Sequence, residues 1–143
     1  MEHYCAYQER CHKEVEVKLS ALNMIPEAKE KIMLHLLQHN FLNEERFAKA
    51  FVLGKYSVKK WGKIKIVAAL KYKNISTYNI KSALLQINEI DYINTLQTLA
   101  RKKNLQIKEP NNYKRKAKLS NYLLSKGFES NLVYETVFNL IGY

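Results

Sequence analysis

The sequence predicts an all-α fold, three tandem three-helix repeats forming an elongated, curved helical array. Three observations predict it. The 143 residues include only 4 Gly and 2 Pro, too few for the tight turns of a β-sandwich and suited to helices joined by short loops. Hydrophobic residues make up 47%, enough for a packed core. A unit also recurs along the chain. Val15, Leu19, Asn23 and Met24 share their spacing with Ile32, Leu36, Asn40 and Phe41, with Ile66, Leu70, Asn74 and Ile75, and with Leu119, Leu123, Gly127 and Phe128. In each, two apolar residues four apart share a helical face. Four residues later comes Asn or Gly, which tolerate the left-handed conformation that ends a helix. The apolar residue that follows can fold back onto the core.

Val15, Ile66 and Leu119 stand 51 and 53 residues apart, and about fifty residues hold three short helices, which places the repeats near 1–42, 43–88 and 89–143. In repeat one, Pro26 suits the first turn of a helix, where its missing N–H costs nothing. Repeat two opens at Asn43, an N-cap, with Glu44 and Glu45 in the first turn, where negative charge suits the helix dipole. Leu42 and Phe47 stand at hydrophobic-staple spacing. Ser76 caps a further helix, with Ile75 and Ile80 as its staple. In repeat three, the Leu105–Asn112 segment contains Pro110 and separates a long first helix from the second. Met33 and Leu36, Leu84 and Ile87, and Val137 and Leu140 supply matching downstream apolar pairs.

Charge is the most informative part of the composition. The formal net of +11 is unevenly placed: −3 over residues 1–45, +16 over 46–128 and −2 over 129–143. Between Glu45 and Glu89 there are ten Lys or Arg and no acid. A block of one sign predicts a polyanion-binding surface; a solvated face without a partner is the alternative. Cys5 and Cys11 form no CxxC pair and fit reduced thiols of a cytoplasmic protein. No secretory segment opens the chain, and no apolar run approaches the ~18 residues that suggest a membrane span, so no membrane partner is expected.

Catalytic chemistry finds little support. No glycine-rich phosphate loop is present. Asp91 is the only Asp, which argues against paired-carboxylate or two-metal chemistry. None of the serines stands in a nucleophile elbow. His35 and His39 are four apart, a spacing that can hold zinc, but the Glu of a zinc protease is absent between them. The chain is therefore expected to be no enzyme, with no catalytic residue, metal or cofactor.

Two basic stretches are the candidate binding residues. Lys55, Lys59, Lys60, Lys63, Lys65, Lys71 and Lys73 are interleaved with Tyr56, Trp61 and Tyr72. Lysines neutralise phosphates, and exposed aromatics stack on unpaired bases; packing between helices is the competing role for Trp61 and Tyr72. Lys59, Lys60 and Lys63 are expected to be solvent-exposed. The second stretch holds Arg101, Lys102 and Lys103, then Lys114, Arg115, Lys116 and Lys118. Consecutive helical residues fan out, so only part of each triplet can face one ligand. Arg46 stands in a helix's first turn, where positive charge is unfavourable, which predicts pairing with Glu14 or Glu16 and a structural role.

In sequence these residues resemble the RecX family over nearly the whole chain. Asn40-Phe41-Leu42-Asn43-Glu44-Glu45-Arg46-Phe47-Ala48 is similar to the family's glycine–aromatic–Leu–Asn/Asp–acidic stretch ending in Arg-Phe-Ala. Trp61-Gly62, Lys65-Ile66, Leu70 and Asn74-Ile75 resemble its aromatic-Gly, basic-Ile, Leu and Gly-aliphatic series. Leu123 with Lys126-Gly127-Phe128 resembles the end of its third repeat. Glu14-Val15 and Lys18-Leu19 resemble pairs of the first. The family often has Gly at Asn40 and Asn74 and Ser at Cys11, and the chain begins close to the first repeat, without the N-terminal extension of some relatives.

The resemblance implies a regulator of the RecA recombinase, in most members an inhibitor of strand exchange and ATP hydrolysis. It implies binding along the groove of the RecA–single-stranded DNA filament; the chain itself is expected to be a monomer. Arg46, Phe47, Gly62, Asn40, Asn74 and Gly127 are then structural motif residues. A DNA-binding helical module that acts without RecA, and a helical scaffold for an acidic protein, are the rival functions.

Overall fold

The computed structural model describes residues 1–142; Tyr143, the last position of the third predicted repeat, lies outside the described residues. Nine helices are found among them: α1 (Glu2–Tyr7), α2 (His12–Ala21), α3 (Pro26–Gln38), α4 (Glu44–Ser57), α5 (Lys63–Tyr72), α6 (Thr77–Leu84), α7 (Glu89–Gln106), α8 (Asn112–Ser125) and α9 (Ser130–Ile141). No strand occurs among the described residues, and the all-helical repeat character is as the sequence predicts.

The predicted stops form by the predicted mechanism. Asn23, Asn40, Asn74 and Gly127 have φ of 57°, 59°, 61° and 96°. After Asn40, the Phe41 and Leu42 N–H groups return to the Leu36 carbonyl at 2.9 and 3.1 Å. After Asn74, the Ile75 N–H returns to Leu70 O at 3.1 Å. These bonds satisfy carbonyls that a helix end otherwise leaves without partners. The starts also form as read: the Arg46 N–H donates to Asn43 Oδ1 at 2.9 Å and the Asn79 N–H to Ser76 Oγ at 3.1 Å. Asn88 and Asn111 cap α7 and α8 in the same way. Lys60 is a fifth left-handed position, φ 58°, that no stop signal marks.

The chain divides into two compact units. The first holds Met1–Val52 and Ala69–Leu84. Its N-terminal core is Cys5, Val15, Leu19, Leu36 and Leu42, with Met24, Ile32, Met33 and Phe41 packed against it. Ion pairs tie its helices together. Arg46 pairs with Glu9, not with Glu14 or Glu16, and donates to Asn40 O at 2.9 Å. Glu14 is instead engaged by the Cys11 N–H at 3.1 Å and by Lys73 at 3.4 Å. Arg46 thus joins the helix stop at Asn40 to the segment after α1, the structural role expected of it through a different acid. Glu44 pairs with His12 at 3.1 Å, and burial pushes its carboxyl up from the usual range.

The second unit holds Leu53–Ala68 and the described residues from Leu85 onward. Ile66, Tyr92, Leu96, Ala100, Leu119, Leu123, Phe128 and Val133 are its most deeply buried side chains. The Tyr92 ring lies 5.3 Å from Phe128 and 6.0 Å from Tyr56. The segment between α7 and α8 is clamped by Arg115. Its guanidinium donates to Asn104 Oδ1 at 2.7 Å, to the Asn104 carbonyl, to Ile107 O at 2.9 Å and to Glu109 O at 3.1 Å. A cation that takes the last carbonyls of α7 also complements the negative end of the helix dipole.

Candidate nucleic-acid interface

The second unit assembles its basic residues around a contact between two glycines. The start of α5 meets the stop after α8: the Gly62 N–H donates to Lys126 O at 2.7 Å, and the Ile64 N–H to Gly127 O at 2.9 Å. A Cβ on Gly62 would overlap the backbone of Gly127 and Phe128, and a Cβ on Gly127 would overlap Lys65. The Lys63 N–H donates to the Tyr92 hydroxyl at 2.9 Å. The first N–H groups of α5 are therefore already bonded, and the positive charge here comes from lysine side chains.

Two of those side chains stand against Trp61, which is half-buried. Lys65 Nζ lies 4.4 Å and Lys55 Nζ 4.9 Å from the indole ring, within cation–π range. Lys126 Nζ donates to Lys59 O at 2.8 Å. Burial, and then the charges of Lys65 and Lys59, hold the Lys126 ammonium below the usual lysine range. An ammonium crowded in this way gains from a nearby anion, because phosphate restores the favourable field that burial and like charges remove. Lys126 stood outside both predicted stretches. Its position beside Gly127 was the available signal, but only the contact with Gly62 brings it to Lys59 and Lys65.

Other candidates take different places. Lys63 is not the solvent-exposed lysine expected. Its side chain is 20% exposed, pairs with Glu89 and stands 4.6 Å from the Tyr92 ring. Tyr56 is buried, its hydroxyl donating to Asp91 and lying 3.1 Å from Thr95 Oγ1, and is a packing residue. Lys59 and Lys60 are exposed. Lys71, Lys73 and Tyr72 belong to the first unit. Lys71 is exposed there, Lys73 pairs with Glu14, and the Tyr72 ring is covered by Lys13 Nζ at 3.7 Å.

The second stretch fans out as expected. Arg101 lines a cleft with Gln97, Thr136 and Asn139. Lys102 is exposed, and Lys103 stands 4.8 Å from the Tyr122 ring. Lys114 is exposed, Arg115 clamps the loop, Lys116 lines a cleft between α8 and α9, and Lys118 pairs with Glu109 at 3.5 Å. His35 and His39 stack with ring centroids 4.3 Å apart, and His35 is paired with Glu2.

Two family models match this chain, "RecX, third three-helix domain" over residues 89–137 and "RecX, second three-helix domain" over residues 43–84. The chain belongs to the RecX family. Relatives named regulatory protein RecX include that of Clostridium acetobutylicum, 31% identical over 123 residues, and that of Clostridium botulinum, 32% identical over 130 residues. The RecX of Serratia proteamaculans is 32% identical over 103 residues. These alignments cover 83%, 90% and 72% of this chain and 56%, 60% and 60% of the relatives, so the chain spans less than two thirds of their length. The crystal structure of RecX from Lactobacillus salivarius matches with a TM-score of 0.81, at 24% identity, over 97% of this chain and 90% of that one. A second RecX crystal structure matches with a TM-score of 0.83, at 24% identity, over 97% and 67%. Both establish a shared RecX fold. No helix among the described residues is long and apolar enough to cross a membrane.

Proposed function

We propose that this chain is a non-enzymatic regulator of the RecA recombinase. It acts as an inhibitor, by binding in the groove of the RecA–single-stranded DNA filament and modulating strand exchange and ATP hydrolysis. The observation that carries this reading, within a RecX chain, is a lysine cluster in which Lys55 and Lys65 stand against Trp61 and Lys126 stands by Lys59 and Lys65. Clustered ammonium groups attract phosphates, and an indole ring is a side chain on which an unpaired base can stack. Lys60, Lys102 and Lys114 of the same unit extend the positive field, which speeds encounter with a polyanion more than it sets specificity. The repeat boundaries at 1–42, 43–88 and 89–143, a monomeric state, and a cytoplasmic location belong to the same proposal.

The test is RecA's DNA-dependent ATP hydrolysis with and without substoichiometric amounts of this protein. A fall in rate is expected. An unchanged rate, with binding to single-stranded DNA intact, replaces this reading with a DNA-binding module that acts without RecA.

A further inference from the structure

A second aromatic site lies in the same unit. Helices α8 and α9 enclose a cleft of about 430 Å³ whose lining includes Tyr113, Lys116, Ser120, Asn121, Tyr134 and Phe138. Its volume falls within the roughly 300–1,000 Å³ typical of small-ligand clefts. Tyr113, Tyr134 and Phe138 are 83%, 57% and 48% exposed, although core packing of these helices already uses Leu119, Leu123, Val133 and Val137. Three large rings are thus left at the surface around one opening. Among the described residues, no Asp or Glu lines the cleft. It carries hydroxyls, one amide and one ammonium, a set that can hydrogen-bond the edge of a heterocycle and hold an adjacent phosphate.

We propose that this cleft captures one unpaired base of a single-stranded polynucleotide between the rings of Tyr113, Tyr134 and Phe138, with Asn121 at the base edge and Lys116 at the neighbouring phosphate. Charge selects this occupant over an apolar protein side chain. Helix α8 carries four cations and no acid. Arg115 holds the α7–α8 loop and Lys118 pairs with Glu109, which leaves the field at the cleft to Lys114 and Lys116. The facing α9 carries a single acid, Glu135, outside the lining, so a strand approaching the cleft meets positive charge on its way in. Aromatic faces accept any base, and the capture is therefore tolerant of sequence. The site is separate in composition from the Trp61 cluster, but it rests on the reading that the basic surface meets single-stranded DNA.

Two polymers of equal length and charge test it: a short oligothymidylate and an abasic deoxyribose-phosphate strand. Affinity for each is read by anisotropy at low salt for the parent, the Tyr113→Ala/Tyr134→Ala variant and the Tyr113→Phe/Tyr134→Phe variant. The parent is expected to prefer the base-bearing strand by about tenfold, the scale of one base–aromatic stack. The alanine variant loses that preference while keeping its affinity for the abasic strand, and the phenylalanine variant retains it. Equal affinity of the parent for both strands overturns the cleft and leaves the basic surface standing. No binding to either overturns the basic surface and the cleft with it. A preference that survives the alanine variant but disappears in Trp61→Ala places the base at the indole and overturns the cleft. Should the alanine variant lose RecA inhibition with no change on either strand, the cleft holds a protein side chain instead, and the proposal fails.

Discussion

Gly62 and Gly127 are where two backbones come too close for any side chain, and Gly127 also holds a positive φ. Each fact alone makes substitution costly. Gly127→Ala is expected to lower stability by at least about 2 kcal/mol, combining left-handed strain with overlap against Lys65. Gly54 is the counterexample. It lies inside α4, and a methyl group there would meet nothing within 4 Å, so Gly54→Ala should raise stability by roughly 0.5–1 kcal/mol through helix propensity. Urea unfolding midpoints of the two variants should move in opposite directions. The tyrosines give a second expectation at this scale. Burial, and then the hydrogen bond to Asp91, push Tyr56 up to about 12, and burial with the bond to Glu129 pushes Tyr92 higher still. A raised folded-state value favours the neutral phenol in the fold. That stability is fully present below pH 10 and is lost as pH rises from 10 through 12. Two of the ten tyrosines should therefore form phenolate only as the protein unfolds, and their simple ionisation below the unfolding transition would contradict the burial.

The recurring helix stop is the most legible feature at the scale of elements. Leu70 and Leu123 stand at equivalent places four residues before Asn74 and Gly127, and both are fully buried. Leu70→Ala and Leu123→Ala should each destabilise by about 2–5 kcal/mol, as large-to-small core changes do. Losses below roughly 0.5 kcal/mol at both would remove the repeat core from the account. Stops and caps were readable because they are local: an Asn or Gly, its φ and the apolar residue after it lie within a few bonds of one another. Arg46 shows where local reading ends. Its position in a first turn dictated a need for an acid, but which acid answers depends on where the segment after α1 returns, and that proved to be Glu9. Lys63 makes the same point from the other side, since its expected exposure was cancelled by Glu89 and Tyr92, both distant in sequence.

At the scale of the whole molecule, the strongly basic block over residues 46–128, net +16, sets the long-range behaviour. If about 4–6 phosphates are neutralised, log affinity for single-stranded DNA should fall against log salt with a slope near −3 to −4. Lys59→Glu with Lys126→Glu should leave the helical spectrum intact, weaken binding and make that slope shallower. A slope near zero in the parent would reduce the block to a solubility feature.

By itself the sequence determined the helical class, the stops at Asn23, Asn40, Asn74 and Gly127, the caps at Asn43 and Ser76, and the sign and extent of the charged block. Periodicity, left-handed tolerance and net charge are properties of short segments or of simple totals, so no partner from elsewhere in the chain is needed to read them. Only the tertiary structure decided which lysines stand together. The contact of Gly62 with Gly127 carries Lys126 to Lys59 and Lys65 beside Trp61, while ion pairs and carbonyls draw Lys63, Lys73, Arg115 and Lys118 into structural work. Charge adds along a sequence, but a binding site is a set of distances, and those are set by packing between segments far apart in the chain.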